Sequence, residues 1–188
     1  MRRLLPILIA LGLAVVLVGG TMVMLNRARP APTPTPEVES AVVRVNGEPI
    51  SAQQWIEAYA LDLLMSRQVG QPAPTPEETL DRLINDALLL QGYPQPVPDD
   101  AQVAKRLSEL EAATGITTGM ITLQLEAWGL PSEALTETIR HLMRVEAANA
   151  ALQAEGKSVA AWITEARRKA TLETNTEIKA AVLKQLGP

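Results

Sequence analysis

The sequence predicts a mainly α protein. A multi-helix domain has its N- and C-terminal ends joined by a short two-stranded antiparallel clasp, and one N-terminal transmembrane helix precedes it. Three observations carry this. A charge-free apolar run near the N-terminus leads into a Pro-rich spacer. Segments with apolar residues at helical spacing fill most of the chain beyond the spacer. Only two short stretches, near the two ends of that region, read as β.

Arg2 and Arg3 lead into residues 7–25, nineteen positions without a charge. That is long for the apolar region of a cleaved signal, about 7–15 residues, and close to the ~20 that span hydrocarbon. No cleavage site is well placed, so residues 1–29 read as an uncleaved membrane anchor; cleavage would instead release a secreted protein. The α-amino group, Arg2 and Arg3 precede the span, and Arg27 and Arg29 come after it. This bias places the N-terminus inside and the domain on the extracytoplasmic side of the cytoplasmic membrane. Residues 30–40 form a Pro-rich linker; 30–36 (Pro-Ala-Pro-Thr-Pro-Thr-Pro) suits an extended spacer of about 20 Å, at about 3 Å per residue.

Residues 42–45 read as a strand, Asn46-Gly47 as a tight turn, and Pro49 as the end of strand pairing. Ser51 fits an N-cap. Behind it Trp55, Ile56, Tyr59, Leu63 and Leu64 mark a helix of about 18 residues. Thr75-Pro76-Glu77-Glu78 is a capping box with Pro at the first helical position. It opens the most apolar helix after the anchor, with Leu80, Leu83, Ile84 and Leu88 on one stripe. Asp99 caps a helix carrying Val103, Leu107 and Leu110, and Thr117 or Thr118 starts one carrying Ile121, Leu125 and Trp128. Leu130-Pro131-Ser132 is read as turn and cap for a long helix ending near Gln153, and Ser158 recaps the next. Residues 171–175 have strand character. A lone strand leaves its ladder groups unpaired, so 171–174 is the expected partner of 42–45. Val43, Val45, Asn46, Gly47 and Leu172 are the expected clasp residues. The helical domain is drawn as 41–175, and 176–188 as an amphipathic C-terminal helix or tail.

Four of the 17 basic residues flank the anchor, which leaves 13 against 21 acidic groups, or −8, for the remainder. An acidic domain without a basic stripe is a poor nucleic-acid binder. There are no cysteines and one histidine. His141 lies between Arg140 and Arg144, with no carboxylate or nucleophile placed beside it by spacing, so it reads as a boundary residue. Asp99-Asp100 and Glu77-Glu78 sit at helix starts, where acids complement the dipole. No metal-ligand spacing, phosphate loop or nucleophile elbow is present. The expectation is no catalysis, no metal and no cofactor.

The order of these pieces resembles the N-terminal chaperone domain of SurA and the related PrsA and trigger-factor-like foldases. Residues 42–51 (Val-Val-Arg-Val-Asn-Gly-Glu-Pro-Ile-Ser) are similar to that family's opening strand and turn. Residues 78–91 resemble its Leu-rich helix ending in Gln. Residues 97–103 (Val-Pro-Asp-Asp-Ala-Gln-Val) resemble its Asp-capped helix start. Residues 123–144, through Trp-Gly-Leu-Pro-Ser, are similar to its helix pair, and residues 170–173 to its closing strand. The likeness covers about 41–175. It departs where many members carry a parvulin-type prolyl isomerase domain: only residues 153–158 separate the last two helices, with a single His and no Phe in the chain.

The resemblance implies a membrane-tethered module that binds unfolded or nascent secreted polypeptides through apolar helical surface, without prolyl isomerase activity. An adaptor or subunit of a membrane-associated complex is the alternative, and a prolyl isomerase is a third reading. Methionine and aromatic side chains suit adaptable contact, so Trp55, Tyr59, Met65, Met120, Trp128 and Met143 are the candidate polypeptide-binding residues, with ordinary core as the competing role for each. Met120, off the Ile121, Leu125 and Trp128 stripe, is the one best placed to be exposed.

Overall fold

A computed structural model describes residues 40–68 and 70–187. The expected anchor at 7–25 and spacer at 30–36 lie outside the described residues. Among those described, no helix is long and apolar enough to cross a membrane.

The chain opens with a hairpin, β1 (Ala41–Val45) and β2 (Glu48–Ser51). Six helices come next: α1 (Ala52–Gln68), α2 (Pro76–Gly92), α3 (Asp100–Thr114), α4 (Thr118–Ala127), α5 (Glu133–Ala154) and α6 (Val159–Lys169). Then come β3 (Leu172–Thr174) and α7 (Thr176–Leu186). The strands make one antiparallel sheet in the order β2-β1-β3.

The expected pairing of the two ends is present: Val43 faces Thr174, Arg44 faces Glu173 and Val45 faces Leu172. The clasp nevertheless has three strands, not two. Pro49 does not end pairing; it lies inside β2, opposite Arg44. The reason is hydrogen-bond parity. The Asn46 N–H and the Val42 carbonyl both bond the β3 side, at 2.8 and 2.9 Å. By alternation Arg44 also turns its backbone groups that way, so the residue opposite it in β2 needs no N–H. Proline there costs the ladder nothing and blunts an outer edge. Asn46 (φ 53°) and Gly47 (φ 88°) both take positive φ, as a two-residue type I′ turn demands. A bulge between Ala41 and Val43 lets the consecutive Val42 and Val43 both be buried.

Asn46 also ties the sheet together. Its N–H donates to the Thr171 carbonyl at 2.8 Å, and its Oδ1 accepts from the Thr171 N–H at 2.9 Å. Its Nδ2 donates to Gln91 at 2.8 Å, and Gln91 in turn donates to the Val45 carbonyl at 2.8 Å. One side chain thus joins the hairpin turn, the end of α2 and the start of β3.

The helix starts obey their caps. Ser51 accepts from the Gln54 N–H, and Thr75 with Glu78 and Asp99 with Gln102 form complete capping boxes. Ser132 departs from expectation: its backbone is helical and its side chain makes no capping bond. α1 is the most enveloped helix. Its buried residues, among them Trp55, Ile56, Ala58, Leu61 and Leu64, lie on most of its sides, because α2, α4, α5, α7 and β2 surround it. The core joins this helix to the valines of β1, the α2 stripe, and Leu125, Leu130 and Leu135. Segment 176–188 contributes α7, whose Val182 is buried; the helix packs on α1 and β1. A second, smaller cluster (Leu89, Ala148, Leu152) lies where α2 and α5 meet α6.

Candidate functional site

The six expected polypeptide-binding residues do not form one surface. Trp55 is 0 % exposed, with its indole N–H donating to the Pro76 carbonyl at 2.8 Å. Tyr59 and Trp128 are also buried, and the Arg67 guanidinium lies 5.8 Å from the centroid of the Trp128 ring. Met65 and Met143 are half-buried against the core. Only Met120 is in solvent, at 58 % exposure. Three positions on lies Leu123, at 68 %, on the same side of α4. The opposite side holds Ile121 and Leu125, both buried. α4 is therefore apolar inside and out. Leu123 was visible in the sequence as an apolar residue off the inward stripe, the same signal that marks Met120.

A polar site forms where α1, α2 and α5 meet. Asp62 accepts from Thr79 Oγ1 at 2.7 Å and from Arg82 at 2.8 Å. Arg82 also lies 3.5 Å from Asp86, and Asp86 lies 3.1 Å from His141 Nε2. Sequence spacing left His141 without an acidic neighbour; folding brings Asp86 to it from 55 residues away. The signal was an acid within the apolar stripe of α2, between Ile84 and Leu88. Thr79 and Asp86 are buried, so each needs its partners to offset desolvation.

This network borders a cavity of about 320 Å³. Arg82 and Leu83 line it from α2, Gln54, Glu57 and Ala58 from α1, Val97 from the turn before α3, and Glu137, Thr138, Arg140, His141 and Arg144 from α5. Arg140 is engaged outward, with Asp100 at 2.6 Å, the Pro98 carbonyl at 3.1 Å, and Glu137. Burial pushes the Glu57 carboxyl above its ordinary range; a hydrogen bond from Gln53 opposes this and the like charge of Glu137 adds to it. The Arg144 Nε is buried and donates to nothing among the described residues. No group of three or more His, Asp or Glu side chains among the described residues is spaced to hold a metal. The clasp residues Val43 and Val45 are core, Asn46 and Gly47 form the turn, and Leu172 is 41 % exposed on the outer strand. Their placement is architectural. Set against protein families, curated proteins and solved structures, the chain matches none.

Proposed function

We propose that this chain is a membrane-tethered, chaperone-like module that binds unfolded polypeptides through the outer face of α4. One observation carries the reading: Met120 and Leu123 stand in solvent on a helix whose other face is already committed to the core. Large apolar side chains gain about 1.5–3 kcal/mol each when a partner covers them fully, and the unbranched thioether of Met120 adapts to varied partners. The order of strand, turn and helix motifs shared with SurA-like domains supports the same reading, and the apolar run at 7–25 supports the tether.

The test uses residues 30–188, measuring suppression of aggregation of an unfolded client at rising molar ratio. Suppression is expected from the wild type and strongly reduced suppression from Met120→Ser with Leu123→Ser. No suppression by the wild type at several-fold excess ends the chaperone reading. A second reading, an adaptor holding one folded partner, is favoured by a different observation. With Trp55, Tyr59 and Trp128 buried, the exposed apolar surface of α4 is a small patch and not a broad groove. Loss of aggregation suppression together with saturable one-to-one capture of a membrane-complex subunit would select it.

A further inference from the structure

The cavity between α1, α2 and α5 contains two charged groups of opposite sign that have no charged partner. Glu57 takes a hydrogen bond from the Gln53 side chain, but among the described residues no cation pairs with it, and the charge that bears on it is the like-signed Glu137. Arg144, two turns along α5 from Glu137, has a buried Nε without an acceptor and makes no ion pair among the described residues. The remaining charges around the cavity are engaged. Arg82 holds Asp62 and Asp86, Arg140 holds Asp100 and Glu137, and His141 meets Asp86.

An unpaired carboxylate and an unpaired guanidinium on one cavity should attract each other if they can meet. Here both line the same space and remain apart. Each therefore keeps a cost of partial desolvation without an ion partner, Glu57 offsetting part of it through the hydrogen bond from Gln53. A single ligand with a positive and a negative end would pair both charges, meeting Arg144 through atoms other than its shielded Nε. The lining also includes the apolar side chains of Ala58, Leu83 and Val97, beside the polar Gln54, Thr138 and His141. A volume of about 320 Å³ is at the lower end of the range for small-molecule sites and accommodates an amino-acid-sized guest.

We infer that this cavity binds a small zwitterion, a free α-amino acid with an aliphatic side chain, its ammonium on Glu57, its carboxylate on Arg144 and its side chain against Leu83 and Val97. Guanidinium suits a carboxylate because its planar fork donates two parallel hydrogen bonds. The site is independent of polypeptide binding at α4, and the two are tested by separate readouts.

The test is calorimetric titration of the full chain in a mild detergent with leucine, valine and alanine. Leucinamide, which lacks the carboxylate, and N-acetylleucine, which lacks the ammonium, serve as half-ligands. At least one of the three amino acids is expected to bind, and leucine at least tenfold more tightly than either half-ligand. Glu57→Gln and Arg144→Met are each expected to weaken leucine by tenfold or more while melting no lower than the wild type without ligand, because each removes a charge that has no ion partner. Absence of binding by all three amino acids overturns the proposal. So does equal affinity for leucine and leucinamide, or a variant that binds like the wild type. The half-ligand series needs no variant, so it decides the matter even if a substituted chain fails to fold.

Discussion

The two hydrophobic clusters share helices α2 and α5 but are held by different means. The large cluster is closed by strands: β1 lies across it, β3 returns from the far end of the chain to pair with β1, and α7 covers one flank. Its interior is aliphatic apart from Trp55, Trp128 and the single indole hydrogen bond to Pro76. The small cluster at α6 has no sheet. It has three fully buried side chains, ringed by half-buried ones such as Tyr93 and Trp162, whose rings meet edge-on at 5.5 Å. Its rim is polar: Tyr93 Oη donates to Glu155 at 2.8 Å and accepts from Lys157 at 3.0 Å. α6 buries none of its residues fully. A closed core gains from every element that encircles it, whereas a one-sided helix depends on a few contacts and opens first.

Substitutions can break or sharpen this contrast. Trp55→Ala removes the largest fully buried side chain of the closed core and the indole hydrogen bond to the Pro76 carbonyl. A loss of about 4 kcal/mol is expected, read as a large fall in Tm by circular dichroism; a loss under about 1.5 kcal/mol would mean that the core is not organised around it. Leu152→Ala strikes the small cluster and should cost about 2–3 kcal/mol. A second, earlier melting transition in that variant would show the α6 end uncoupling from the rest; a single shifted transition would show the shared helices binding both clusters into one unit.

Gly92→Ala tests the close approach of α6 to α2. A Cβ there would lie 2.4 Å from Trp162 Cζ2. Displacing that ring should cost about 1–2 kcal/mol and raise amide exchange in α6 while leaving β1 protected; unchanged exchange in α6 would refute the contact. Asn46→Gly keeps the positive φ of the turn but deletes the side-chain bonds to Thr171 and Gln91. The expected cost is about 1–1.5 kcal/mol, with faster exchange of the Thr171 amide as the specific readout.

Glu57→Gln has the smallest expected effect and the opposite sign. The folded-state pKa of Glu57 lies above its unfolded value because burial disfavours the charged form. Ionised Glu57 therefore penalises the fold above that raised pKa, and the penalty fades as pH falls through it toward the unfolded value. The variant should melt slightly higher than the wild type at pH 7, and the two should converge under acidic conditions. A gain that persists or grows at low pH would rule out this origin.

Much of the architecture could be read from local chemistry. The Thr75 and Asp99 capping boxes, the Ser51 and Ser158 caps and the Asn46-Gly47 turn are each contained within a few residues, so spacing alone reveals them. Pairing of residues 171–174 with 42–45 was also accessible, because an unpaired strand requires a partner and the sequence offers few. β2 was missed because Pro49 normally argues against pairing; whether it does depends on which way Arg44 turns its backbone, a property of the whole sheet. The polar site was missed for a similar reason. Asp62, Arg82, Asp86 and His141 come from three helices, and no spacing within one helix shows that they converge. Burial of Trp55, Tyr59 and Trp128 stems from the envelopment of α1, which depends on how many neighbours pack around a helix and not on its own period.

The clasp has a consequence for how the chain is made. Asn46 and Thr171 are 125 residues apart, and closing so long a loop costs about 4 kcal/mol of chain entropy before the contact is gained. During synthesis from the N-terminus, the β1–β2 hairpin can form early, yet one side of β1 stays open until β3 has been added. An open strand edge is a template for pairing with other chains. The addition of β3 therefore ends a period of vulnerability, and a chain stopped short of β3 differs from one that includes it by a bare edge of valines.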